Sequence, residues 1–206
     1  MMELVYETRW SRHYKDDDLE MRVCESKFAD GSASITLSEL ASGWPTWEAK
    51  EKQDFCQAVT QARGEHLQDI LRFIMKNGDF ETWALVATSI VRTLPKPEAL
   101  KFISDACRTC PVGKGEPFYQ ALCFHRWPEA IGVLRDCLHR TWTDRRLFSE
   151  EVVYDWVAHD ATCLIEFLCQ MGQNTPDLRE KFRILTQHPL NNSRQNAIHR
   201  LSPYFK

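Results

Sequence analysis

The chain has 206 residues, 29 of them acidic and 26 basic, with a formal net charge of −3. A hydrophobic fraction of 43% permits a packed core and argues against wholesale disorder. The mild acidity removes the basic footprint that general nucleic-acid binding needs, and no apolar run reaches the roughly 18 residues of a membrane span. The opening stretch MMELVYETRWSRHYKDDD lacks the apolar segment of a secretory leader, so a cytoplasmic setting is the expectation. Eight cysteines, among them Cys56, Cys107, Cys137 and Cys163, sit mostly at apolar helix positions and read as small reduced core residues rather than a disulfide framework.

Residues 1–43 form an irregular N-terminal extension. Tyr14-Lys15-Asp16-Asp17-Asp18 is a charged break, and Asp30-Gly31 is a turn signal that leaves room for a short hairpin. A short helix at Thr36–Ser42 is the competing reading. At Trp44-Pro45-Thr46-Trp47 the character changes, and a helical repeat domain is expected over 44–206. Thr46 is placed to cap a helix carrying Phe55, Val59 and Ala62, which ends near Gly64. A second helix over Glu65–Lys76 carries Leu67, Ile70, Leu71 and Ile74 on one stripe and stops at Asn77-Gly78. Asp79 caps a third, with Trp83, Val86, Ala87, Ile90 and Leu94 on its buried face. Pro95 ends it, and Pro97 opens the fourth.

Pro111-Val112-Gly113-Lys114-Gly115 is the clearest loop. It lacks the G-x-x-x-x-G-K-S/T spacing of a phosphate-binding loop and reads as a flexible linker between repeats. Helices over Glu116–Trp127 and Pro128–Arg140 follow. Ser149-Glu150-Glu151 restarts a helix, with Trp156 and Val157 leading into a partner helix that carries Cys163, Leu164, Phe167 and Leu168 and ends at Gly172. Thr175-Pro176 and Arg194–Leu201 begin or bound the last two helices.

Within this series Pro97-Glu98-Ala99-Leu100-x-x-Ile103-x-Asp105 aligns with Pro128-Glu129-Ala130-Ile131-x-x-Leu134-x-Asp136, a period of 31 residues. A fixed period of this length with paired amphipathic helices marks an α-solenoid. The fold class expected is all-α, as about five stacked pairs. The segments PEALKFISDA and PEAIGVLRDC, with the terminal HPLNNSRQNAIHRL, resemble HEAT-repeat units, and the chain from Trp44 to Leu201 is similar to bacterial HEAT-repeat domain-containing proteins. That resemblance implies a right-handed solenoid used as a binding platform, and implies no activity.

Cys107-x-x-Cys110 closes a helix rather than opening one, where the dipole raises a thiol pKa. The i, i+2 pairs Cys123/His125 and Cys137/His139 diverge around a helix and do not complete a metal site with it. None of the seven histidines falls in a metal-hydrolase or nucleophilic arrangement, and His66, His139, His159 and His199 are placed near helix ends or exposed faces. No catalytic residue, metal site, cofactor or small-molecule substrate is therefore expected. Trp83 and Trp156 are assigned to the core. Trp44, Trp47, Trp127 and Trp142 lie near loops or helix ends, with Trp127 and Trp142 the candidate interface anchors. Superposed second helices place Arg72, Asp105 and Asp136 in one column, with Lys101, Arg135 and His139 nearby, as a mixed-charge groove suited to a protein partner. The acidic run Asp16, Asp17, Asp18 and Glu20 is a second candidate contact. The function expected is non-enzymatic protein binding, and the resemblance to small bacterial HEAT-repeat proteins implies, as its most concrete form, an immunity-type inhibitor that occludes a partner. A HEAT-like alkylpurine DNA glycosylase and an adaptor scaffold are the alternatives.

Overall fold

The computed structural model describes residues 2–16, 21–28, 35–64, 66–149 and 155–205. It is dominated by α-helix and divides into two compact units, Met1–Leu94 and Pro95–Lys206.

The first unit begins with a three-stranded antiparallel sheet: β1 (Met2–Glu7), β2 (Ser11–Asp16) and β3 (Met21–Ser26), in the order β1-β2-β3. Four helices follow: α1 (Leu37–Gly43), α2 (Ala49–Val59), α3 (Leu67–Asn77) and α4 (Phe80–Thr93). The short helix read at Thr36–Ser42 is present as α1, capped by Thr36. The Asp30-Gly31 turn lies outside the described residues, and the stretch before it, expected to be irregular, is a three-stranded sheet. The signal was hidden by chemistry: the cross-strand pairs Ser11/Ser26 and His13/Cys24 put small polar groups, not apolar ones, on one face. That face is held by α2. Asp54 accepts from Thr8 Oγ1 at 2.5 Å and Ser11 Oγ at 2.8 Å. Just beyond α2, the Gln61 amide donates to Cys24 O and accepts from Ser26 N, closing the backbone edge of β3 as another strand would.

An aromatic cluster completes this core. Phe55 is fully buried, with ring centroids 5.0 Å from Trp10, 5.6 Å from Phe28, 6.1 Å from Trp44 and 5.3 Å from Trp47. Residues 10 and 28 therefore share one core with residues 44–55, and no compact boundary falls at residue 43. Trp44 and Trp47 are buried in this core. Thr46 does not cap α2, which starts after Glu48. Asp79 caps α4 as the pattern predicts, accepting from Thr82 N at 3.0 Å.

The second unit contains α5 (Lys96–Thr109), α6 (Glu116–Cys123), α7 (Ala130–Trp142), α8 (Trp156–Gln170), α9 (Pro176–Leu185) and α10 (Asn191–Leu201), closed by a 3-10 turn. Positions 31 residues apart in α5 and α7 share their burial, although Pro97 and Glu98 lie inside α5 while Pro128 and Glu129 precede α7. Ala99 and Ala130, Ile103 and Leu134, and Cys107 and Leu138 are all buried, while Asp105 and Asp136 are exposed. Helix α5 packs on α6 and α7, and α6 packs on α8, so next-but-one helices lie side by side. Arg140 of α7 donates to Cys107 O at 2.9 Å and also reaches Arg108 O, satisfying the last carbonyls of α5. A single helix, α8, runs unbroken from Trp156 to Gln170 where the pattern predicts a change of helix, and Asp155 caps it through Val157 N and Ala158 N. Trp156, at its first position, is 61% exposed and not a core residue. Residues 150–154, in the predicted restart, lie outside the described residues. No helix among the described residues is long and apolar enough to cross a membrane.

Phe55→Ala removes the ring common to four aromatic contacts and should destabilise the protein by about 3–5 kcal/mol in urea unfolding. Amide exchange in β2 and β3 should accelerate with it. An effect confined to α2 would show that the sheet does not depend on this core.

Candidate functional site

Three helices of the second unit converge on the ring of His159. Glu116 enters from the first turn of α6, His159 and Cys163 lie four residues apart on one face of α8, and Asn196 and Arg200, also four apart, approach from α10. His159 Nε2 lies 2.8 Å from Glu116 Oε2 and 3.5 Å from Cys163 Sγ. Its Nδ1 lies 3.2 Å from Asn196 Nδ2, which donates to it. These partners require the tautomer in which Nε2 carries the proton and gives it to Glu116. Arg200 donates to Glu116 Oε1 at 3.2 Å and to Glu166 Oε2 at 2.5 Å, so each oxygen of Glu116 has its own partner.

The electrostatics follow from this geometry. The His159 hydrogen bond, assisted by Arg200 and opposed by burial, holds the Glu116 carboxyl well below its ordinary value, at about 2. Burial pushes the Cys163 thiol up, so the sulfur rests as a thiol beside the imidazole. The side chain of His159 is 15% exposed and that of Glu116 37%, which places the cluster at the surface end of a buried seam. His159, in the first turn of α8 and so near a helix end as expected, is a bridge between helices.

The loop before Glu116 is fixed by the next residue of α8. Asp160, 1% exposed, accepts from Gly113 N at 2.7 Å and from Gly115 N at 3.3 Å. Burial raises its pKa while the two glycine N–H groups oppose the rise. Gly113 has φ +97°, and a Cβ on Gly115 would lie 2.1 Å from the Tyr119 ring. The segment Pro111–Gly115 is thus a clamp that sets the start of α6, not a flexible linker. Its backbone N–H groups do gather an acceptor, and the acceptor is the protein's own carboxyl group, Asp160.

The remaining sequence candidates separate. Lys101 and Asp105 lie on α5, and Arg135, Asp136 and His139 on the neighbouring α7, whereas Arg72 belongs to the first unit and pairs with Asp69. Asp105 takes Lys101 and Arg108 as ion partners within α5. Arg135 turns to α9 and its approach, meeting Asp177 at 3.4 Å and Thr175 at 3.3 Å. Trp142 is half-buried under Lys181, whose Nζ lies 4.7 Å from the ring. Trp127 is half-buried at the α6–α7 turn, stacked on His125 at 5.3 Å, with exposed Phe124 meeting His125 edge-on at 4.8 Å. Arg126, between them, has φ +50°. Asp17, Asp18 and Glu20 lie outside the described residues, as does the side chain of Asp16. Cys107 and Cys110 are buried free thiols that burial pushes up in pKa.

The convergence on His159 went unread in the sequence. The i, i+4 spacing of His159 and Cys163 was legible, but Glu116 is 43 residues away and joins them only through the packing of α6 on α8.

Asp160→Ala leaves the Gly113 and Gly115 N–H groups without their acceptor and should cost roughly 1–3 kcal/mol for each group that stays buried. Urea unfolding measures it, and an unchanged midpoint would show that the loop needs no clamp. Because the folded pKa of Glu116 is depressed, its pairing stabilises above the ordinary value of 4.5 and is lost as pH falls toward about 2. The stability gap between wild type and Glu116→Gln should therefore close over that window, and a gap constant with pH would contradict the pairing. Searches against protein-family models, curated proteins and solved structures return no match for the chain.

Proposed function

We propose that this chain is a non-catalytic protein-binding module built on HEAT-like helical repeats, with an inhibitor or immunity-type role as its most concrete form. The observation that carries the reading is the aromatic tip at the α6–α7 turn. Phe124 is 51% exposed, and His125 and Trp127 stack beside it. The left-handed backbone at Arg126, costly for a residue with a Cβ, supports the tip in this conformation. Lys96 flanks it, with Nζ 5.8 Å from the Trp127 ring and 2.7 Å from Glu129 Oε1. An aromatic pair stiffened by its own stacking and ringed by charge has the composition of an interface anchor, because little side-chain entropy is lost when it docks.

The repeat supports the same reading. The second helices α5 and α7 pack as neighbours at a 31-residue period and expose Lys101, Asp105, Asp136 and His139. Alternating charge of this kind suits a folded protein surface better than a polyanion. The solenoid, and its right hand, are part of this proposal.

Immobilised wild-type protein should retain one stoichiometric protein partner from native lysate at moderate salt. Phe124→Ala with Trp127→Ala should weaken that complex by about 30-fold or more, as loss of a hot spot of about 2 kcal/mol requires. A partner retained equally by the double variant, or no protein partner, would overturn the reading.

A further inference from the structure

We propose that Glu116, His159 and Cys163 form a binding site for a zinc-class divalent cation. The three donor atoms, one carboxylate oxygen, one imidazole nitrogen and one sulfur, lie within 4.8 Å of one another. They are the ligand types that zinc takes, and three protein ligands leave its fourth position open to water.

Two of the three ligand edges lie at or near those of a tetrahedral ion. With metal–nitrogen and metal–oxygen bonds of about 2.0 Å and a metal–sulfur bond of about 2.3 Å, ligand atoms stand about 3.5 Å apart along the nitrogen–sulfur edge and about 3.3 Å along the nitrogen–oxygen edge. His159 Nε2 and Cys163 Sγ are 3.5 Å apart, so that edge is already set. Nε2 and Glu116 Oε2, 2.8 Å apart across a hydrogen bond, need to open by about half an ångström, within reach of a carboxylate at a helix start.

The surroundings supply what such a site needs. Arg200 engages Oε1 of Glu116, leaving Oε2 to face the ion, and its own charge is matched by Glu166. A divalent ion, a thiolate and a carboxylate then sum to zero beside a neutral arginine–glutamate pair. Asn196 stands at the outer nitrogen of the imidazole, the position where metal-binding histidines keep a hydrogen-bond partner. On binding, the Cys163 S–H bond breaks and its proton leaves to solvent. The imidazole keeps one proton, moved from Nε2 to Nδ1, and a turn of the Asn196 amide presents Oδ1 to accept it. No oxidation state changes.

The test uses the full chain, stripped with chelator and titrated with cobalt(II) and zinc(II). Cobalt should give a thiolate-to-metal charge-transfer band that zinc abolishes, and that band should vanish in Cys163→Ser and weaken in His159→Ala. Circular dichroism in chelator reports whether each variant still folds. X-ray absorption at the zinc edge of the wild type needs no variant and should show one sulfur at about 2.3 Å with nitrogen or oxygen at about 2.0 Å. Asn196→Asp, which leaves all three ligands in place, should tighten zinc binding by about tenfold by giving the imidazole N–H a carboxylate acceptor. No binding, a zinc edge without sulfur, or a cobalt band unchanged in a folded Cys163→Ser protein would overturn the site.

Discussion

The backbone N–H groups of Gly113 and Gly115 converge on one buried carboxylate, Asp160, and the second unit depends on that contact. It fixes where α6 begins, and Glu116 occupies the first helical position after it. Because His159 precedes Asp160 on α8, one stretch of helix holds the loop with one side chain and receives the incoming carboxylate with the next. Arg200 then carries the network to α10. Polar groups in an otherwise apolar helix are costly unless every one is partnered, and here each has its partner. The seam therefore specifies how α6, α8 and α10 meet, which uniform hydrophobic packing would leave freer to slide.

The first unit solves a different problem. A sheet of three six-residue strands is marginal alone, and its inward face carries serine, histidine and cysteine. Its stability comes from outside: Asp54 and Gln61 meet its polar groups, while Trp10 and Phe28 pass beyond the strands into the aromatic core around Phe55. Residues 2–16 and 21–28 are therefore part of the compact unit and not an appendage.

These two solutions explain what could be read from the chain. Helix positions were legible because burying a stripe forces a period near 3.6, and stops such as Asn77-Gly78 and Pro95 act locally. The shared burial of Ala99 and Ala130, and of Ile103 and Leu134, at a spacing of 31 residues was legible for the same reason. The sheet was not, because small polar residues on its buried face erase the alternation that marks a strand. Nor was the Asp160 clamp, because a glycine loop that binds a carboxylate 45 or more residues away looks locally like any linker. The unbroken α8 was obscured by its apolar composition, and Trp156 resembled a core residue although it stands at the exposed first turn.

The central claim is that α6, α8 and α10 meet at the His159 ring, and the state of that ring reports it most directly. Long-range proton–nitrogen correlation spectra of 15N-labelled protein in chelator identify which imidazole nitrogen carries the proton. The account predicts a protonated Nε2 and an unprotonated Nδ1, with the proton moving to Nδ1 when zinc is added. A ring that carries its proton on Nδ1 in the metal-free protein, or that exchanges freely between both forms, would mean that Glu116 and Asn196 do not hold it and that the three helices do not meet there.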